Sequence, residues 1–350
     1  MEKRRLGDSN LFVSDLGMGC WAYGGGKYWG NQNQKDVDDM VQVALDQGIN
    51  YFDTAEVYND GQSEISLGLA LKGRRREAII GTKVSTSNTE PATLVKHCEA
   101  SLKRLGTDYI DIYMLHWPIN KKSIEHFTND SNLIESPPSV EKAFEALMKL
   151  QKEGKILEIG ISNHGVEQMK EVQRTGARVI VNELPYNLIS RGIESSILPY
   201  CKQNNIGIFG YMAMQQGVLA GIYPSVESIP APQAHSRHFH YSWGGELSRH
   251  REEGAEEEIF QMLSGMEKIA KEINSITPAL SLAWAMANDG ISCTLVGSRT
   301  VNELKMNIET SLLKLPPDII EELNRLSDPV LKKLGPDIDY YESREKSRIF

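Results

Sequence analysis

Apolar and polar positions along this chain follow two periods that take turns. Short apolar or β-branched runs predict strands at 16–18, 49–52, 78–83, 109–116, 156–162, 179–183, 206–211 and 293–296. Between them, apolar residues spaced three and four apart predict helices over 37–45, 65–71, 93–105, 140–151, 166–174, 193–202, 256–273, 278–287 and 301–310. Ahead of the series, residues 4–13 read as a hairpin around the turn-rich Gly7-Asp8-Ser9-Asn10.

Strict alternation of strand and helix implies parallel strands. Eight strand–helix units with no break in composition imply one α/β domain over 1–350, a closed (β/α)8 TIM barrel carrying an N-terminal hairpin. An open doubly wound sheet would call for a GxGxxG after an early strand, and the chain has none. Two connections are longer than a compact fold normally needs, at about 119–138 and about 222–253. They follow the fourth and seventh strands, which puts both at the C-terminal face of a barrel, where active sites are built. The chain after about 328 is expected to be a polar surface tail without an assigned role.

Composition narrows the class. The 350 residues are 40% apolar and 24% charged, the profile of a globular protein with a substantial core. A formal net charge of -9 argues against nucleic acid as a partner. No run approaches a membrane span, and the basic start Met1-Glu2-Lys3-Arg4-Arg5 lacks the apolar run of a signal peptide, so a cytoplasmic protein is expected. Cys20, Cys98, Cys201 and Cys293 are far apart, which predicts reduced, buried thiols. His235, His238 and His240 do not have the spacing of a standard zinc site, and no metal is expected.

The candidate chemistry starts in 48–64, where a short strand delivers Asp53 and the following loop carries Tyr58. Lys83 and His116 stand at the ends of the next two strands. Ends of successive barrel strands are neighbours, so the four groups should converge. A tyrosine with an ordinary pKa near 10 exchanges protons poorly at neutral pH. An adjacent Lys83 ammonium, kept charged by Asp53, is expected to lower it and make Tyr58 a general acid toward a carbonyl or a base toward an alcohol. His116 would orient the same oxygen. With no nucleophile, metal or redox group in the set, an external hydride donor is implied.

These residues resemble the aldo-keto reductases. Gly48 to Tyr58 is similar to the family's G-x-x-x-x-D-T-A-x-x-Y signature, and Lys83 and Leu115-His116-Trp117-Pro118 match its lysine and histidine segments. Gly160-Ile161-Ser162-Asn163, residues 179–186 and Gly297-Ser298-Arg299 with Glu303 and Asn307 extend the likeness over roughly residues 3–325. Within the superfamily it looks most like bacterial reductases related to potassium-channel β subunits.

The resemblance implies a nicotinamide cofactor across the barrel mouth. Ser162 and Asn163 would hold the carboxamide, Tyr211 would stack on the ring, and Ser298 and Arg299 would meet the adenosine phosphate end. A guanidinium suits a 2′-phosphate, which favours NADPH/NADP+ over NADH. Glu303 and Asn307 would lie near adenine, with Met214, Gly217 and Arg237 near the diphosphate. Two departures stand out: Glu183 occupies a position where the family usually has glutamine, and Met212-Ala213-Met214 replaces the common Ser-Pro-Leu.

Trp21, Tyr23, Trp29 and Trp117 are expected to wall the substrate pocket, suiting a sugar-like or aromatic carbonyl. The function implied is NADP-dependent interconversion of a carbonyl and its alcohol. Two other readings are a Schiff-base lyase using Lys83 and a cofactor-sensing regulatory subunit. Partners are then a small-molecule carbonyl or sugar, with the protein a monomer or a homo-oligomer.

Overall fold

All eight expected barrel strands form, and they close on one another. The computed structural model describes residues 1–349. An antiparallel hairpin, β1 (Lys3–Arg5) with β2 (Phe12–Ser14), precedes them. The barrel strands are β3 (Leu16–Gly19), β4 (Tyr51–Asp53), β5 (Ile79–Val84), β6 (Ile110–Leu115), β7 (Ile156–Ser162), β8 (Val179–Pro185), β9 (Gly207–Tyr211) and β10 (Cys293–Gly297). Each pairs in parallel with its sequence neighbour, and β10 closes the ring onto β3. This is a TIM barrel.

Two apolar layers hold it. The larger lies between the strands and the surrounding helices. The smaller fills the barrel with Tyr51, Ile112, Met114, Val181, Phe209, Cys293 and Leu295, and the hairpin plugs it from below with Leu6 and Val13. The helices begin and end where their local chemistry dictates. In Pro91–Leu105, the Glu90 carboxylate accepts from the N–H groups of Ala92 and Thr93, proline stands in the first turn, and Gly106 ends the helix in the left-handed conformation. Its buried stripe is Leu94, Cys98, Ser101, Leu102 and Leu105. Burying each leucine contributes about 1.5–3 kcal/mol. All four cysteines are free and buried.

The expected polar tail is corrected in two respects. An eighteen-residue helix, Pro317–Leu334, runs straight through position 328 with Pro329 inside it. Beyond it the chain does not simply cross the surface. Ile338, Asp339, Tyr340 and Arg348 are buried against the C-terminal face. The two long connections also carry local structure, with helices Lys121–Phe127 and Ser131–Glu135 in the first and Ala231–Ala234 and Tyr241–Gly244 in the second.

Candidate active site

Strand register aims the reactive groups inward. Asp53 pairs with Gly81, and Lys83 lies two residues beyond Gly81 on the same strand. A period of two therefore turns Tyr51, Asp53, Gly81 and Lys83 into the barrel. Glycine at 81 is required there, because a Cβ would overlap Tyr51 Oη. At the mouth, Lys83 Nζ lies 2.6 Å from Asp53 Oδ1, 2.9 Å from the Thr54 carbonyl and 3.4 Å from Tyr58 Oη. Tyr58 opens a tight turn in which Asn59 and Asp60 have φ of 51° and 54°. The Asn59 side chain holds that turn by donating to the carbonyls of Trp21 and Tyr23. The His116 ring stands edge-on to Tyr58, with centroids 5.8 Å apart. The four expected groups do converge.

Their electrostatics differ from the sequence expectation in one respect. Lys83 does pull the Tyr58 phenol downward, but burial pushes it up by more, and the net is well above the ordinary tyrosine value. Tyr58 is therefore a protonated phenol at rest. Lys83 is fully buried but carries two carboxylate partners, since Glu183 Oε1 also lies 3.3 Å from its Nζ. Burial alone would lower its pKa; Asp53 and Glu183 reverse this and keep the ammonium charged. A lysine held in that state is a poor amine nucleophile, which counts against Schiff-base chemistry. His116 is held neutral, by burial first and then by the positive charge of Lys83.

A cavity of ≈ 690 Å³ runs from this cluster along the mouth. At its centre Asn163 adopts φ 59°, and Tyr211 donates to its Oδ1 at 2.7 Å. Ser162 Oγ donates to the Glu183 carbonyl. Ser162, Asn163, Glu183 and Tyr211 all line the cavity, as do Met214, Gly217, Gly297, Ser298, Arg299, Glu303 and Asn307 at the other end. Arg299 reaches across to the first loop, donating to the Asn31 carbonyl at 2.9 Å, while Glu303 accepts from its backbone N–H. Trp21, Trp29 and Trp117 line the near end.

Two expected site residues lie elsewhere. Tyr23 is fully buried in the core beside Cys20, because the turn at 21–24 sends alternate rings outward and inward. Arg237 is fully buried and faces away from the cavity. It donates to the carbonyls of Asp337 and Asp339 and pairs with the carboxylates of Glu252 and Asp337, so it pins the tail. His238 is buried against Ser190 and Ser236, and among the described residues no group of three His, Cys, Asp or Glu is placed to hold a metal ion. No helix among them is long and apolar enough to cross a membrane.

The cavity has further lining residues. Tyr28 stacks on Trp21 at 5.0 Å and donates to Gln216 from the opposite loop. The first long connection contributes His126 and Phe127, the second contributes His235 and Arg249, and the tail contributes Tyr341 and Arg348. Burial and the two arginines pull His126 down to about 3, so it too is neutral. Tyr28 and the connections were visible as an aromatic loop and as long insertions; the tail carried no comparable signal.

Comparison with known proteins identifies the family. The model of the aldo/keto reductase family matches residues 15–328. Aldo-keto reductase YhdN of Bacillus subtilis (strain 168) is 30% identical over 365 residues, covering 99% of this chain and 100% of that protein. An NADH-specific methylglyoxal reductase of Escherichia coli (strain K12) is 28% identical, covering 88% and 93% of the two chains. Among solved structures, an aldo/keto reductase from Klebsiella pneumoniae in complex with NADP and acetate superposes with a TM-score of 0.68 at 24% identity, covering 93% and 95%. The chain belongs to the aldo/keto reductase family.

Proposed function

We propose that this protein is an NADP(H)-dependent oxidoreductase that interconverts a carbonyl and its alcohol, with Tyr58 as the proton donor. The observation that carries the reading is the triple contact of the buried Lys83 ammonium with Asp53, Glu183 and the Tyr58 hydroxyl at the floor of an aromatic-walled cavity.

A bound nicotinamide cofactor supplies the hydride. The residues along the mouth fit such a group: Ser162, Asn163 and Glu183 bring amide-complementary atoms to one point, and the Oε2 of Glu183 is buried there without a partner. At the far end, the Arg299 guanidinium carries no carboxylate among the described residues, which leaves it available to a phosphate. That favours NADP(H), although one relative is named as specific for NADH.

The proton chemistry is the protein's own. A phenol kept protonated by burial can give its proton to a carbonyl oxygen as negative charge develops on it. The neutral His116 imidazole offers a second hydrogen bond to that oxygen. The Lys83 ammonium then stabilises the phenolate left behind, an interaction strengthened because the lysine itself is fully buried. Lysine thus acts mainly on the product of proton transfer rather than on the resting phenol. Trp21, Tyr28, Trp29, Trp117 and Phe127 suit the apolar face of a sugar-like or aromatic carbonyl compound.

The test is Tyr58→Phe. Turnover across a panel of sugar aldehydes, ketoses and aromatic aldehydes should fall by about 10²–10⁴-fold, while NADPH binding followed by fluorescence is retained. Undiminished turnover in this variant would remove Tyr58 from the chemistry.

A further inference from the structure

One cation serves two buried carboxyls. Lys83 is the only cation among the described residues that pairs with Asp53 or with Glu183, at 2.6 Å and 3.3 Å. The three side chains are 0%, 6% and 4% exposed. The other titratable groups facing the cluster are the phenols of Tyr51, Tyr58 and Tyr211, the thiols of Cys20 and Cys293 and the His116 imidazole, which burial and the Lys83 charge hold neutral, so none brings positive charge. Two ionised carboxylates would therefore leave an uncompensated negative charge inside the barrel. Glu183 also borders the cavity next to Ser162 and Asn163, and its Oε2 has no partner.

We propose that Asp53 and Glu183 share one proton across Lys83, so that Glu183 faces the cavity as a neutral carboxyl and dinucleotide binding is coupled to that proton. The inference rests on the reading of the cavity as a nicotinamide site. Its chemical content is simple. A protonated carboxyl offers one donor and one acceptor, the pattern of the amide that Glu183 replaces, whereas a carboxylate offers acceptors only. Burial and then the Asp53 charge push Glu183 well above the ordinary carboxyl range. Burial also raises Asp53, with Lys83 pulling it back. The proton therefore resides mainly on Glu183, between two groups that cannot both ionise cheaply. Because the protonated form is the one that binds, affinity is full below the raised Glu183 value and falls as pH rises through it.

The proton is measurable without turnover. Infrared spectra of wild-type protein labelled with carbon-13 at the glutamate carboxyl, at about pH 7.5 where ordinary glutamates are ionised, should contain a protonated-carboxyl C=O band. Glu183→Gln should lack it. Absence of the band in wild type overturns the shared proton whether or not the variant folds, and a band that persists in Glu183→Gln overturns its assignment to Glu183. The coupling is read by titrating each protein with NADPH at about pH 7.5 and about pH 9.5, both far above the second phosphate pKa of about 6. Wild-type Kd should rise between the two pH values, and by clearly more than that of Glu183→Gln. Equal pH dependence in the two proteins overturns the coupling. Failure of both to bind NADPH would sink the nicotinamide reading and the coupling with it, while the infrared band still judges the proton.

Discussion

Arg348 lies over the indole of Trp117, its guanidinium carbon 3.5 Å from the ring centroid, and so joins the tail to the residue after His116. The same guanidinium forms a bidentate pair with the fully buried Asp339. The Arg348 carbonyl in turn accepts from Asn120 and Gln168. One residue thus ties tail, first insertion and barrel face together.

Arg348→Ala should therefore cost more than an ordinary surface change. It leaves the Asp339 carboxylate buried and unpaired, a loss of about 3–5 kcal/mol. Denaturant unfolding would measure it. The double variant Arg348→Ala with Asp339→Ala should be more stable than Arg348→Ala alone, since it removes the stranded charge. Simple additivity would contradict the pairing.

Removing the central cation should make stability depend on pH in the opposite sense from most proteins. In Lys83→Met, Asp53 and Glu183 lose the group that favours their charged forms, and their folded pKa values, already raised by burial, rise further. A raised folded value contributes stability that is present below the unfolded value of about 4 and lost as pH climbs through the folded one. The variant should lose about 3–5 kcal/mol near neutral pH and regain much of it on acidification toward pH ~5. Unfolding curves that run parallel to wild type across that range would show that the lysine does not balance these acids.

A second buried acid gives a gentler effect. Glu56 Oε2 meets His97 Nδ1 at 2.6 Å, while its other oxygen accepts from the Ser85 N–H and Asn88. His97 is raised mainly by the Glu56 hydrogen bond, and Glu56 is lowered despite its burial because His97, Ser85 and Asn88 outweigh it. The histidine term is full below about 6.5 and is lost as pH rises through the raised value; the glutamate term is full above about 4.5 and is lost in acid. The pair therefore contributes most between those limits. His97 is partly exposed, so His97→Ala should cost under about 1 kcal/mol at pH ~5.5 and less at pH ~8.5. The difference is measurable by denaturant titration at the two pH values.

Cofactor choice can be assigned to Arg299 by a single substitution. Arg299→Ala should raise the NADPH Kd by about tenfold or more while leaving NADH nearly unchanged, as read by fluorescence titration. A parallel loss for both dinucleotides would mean that the residue acts through its bonds to Asn31 and Gln32 on the first loop.

What could be read in advance was whatever depends on local period. The eight strands and the convergence of Asp53, Tyr58, Lys83 and His116 followed from strand ends placed in register, which a sequence encodes within a few residues. Helix Pro317–Leu334 was hidden because Pro329 interrupts an otherwise helical stripe of Leu323, Ser327, Val330 and Leu334. Arg237 and Arg348 depend on partners a hundred residues away or on a ring across the mouth, and nothing local marks them. Tyr58 differs from expectation for a related reason: the sequence shows that a lysine is near but not how strongly the surrounding side chains oppose its pull.

The hairpin that plugs the barrel with Leu6 and Val13 makes the fold a vessel with a sealed floor. Everything that meets Lys83 must come and go through one opening, and the tail, the insertions and the aromatic loop crowd that opening from every side. The floor belongs to the hairpin and the rim to the insertions and the tail, so the inner end of the cavity and its entrance are built by segments far apart in the chain.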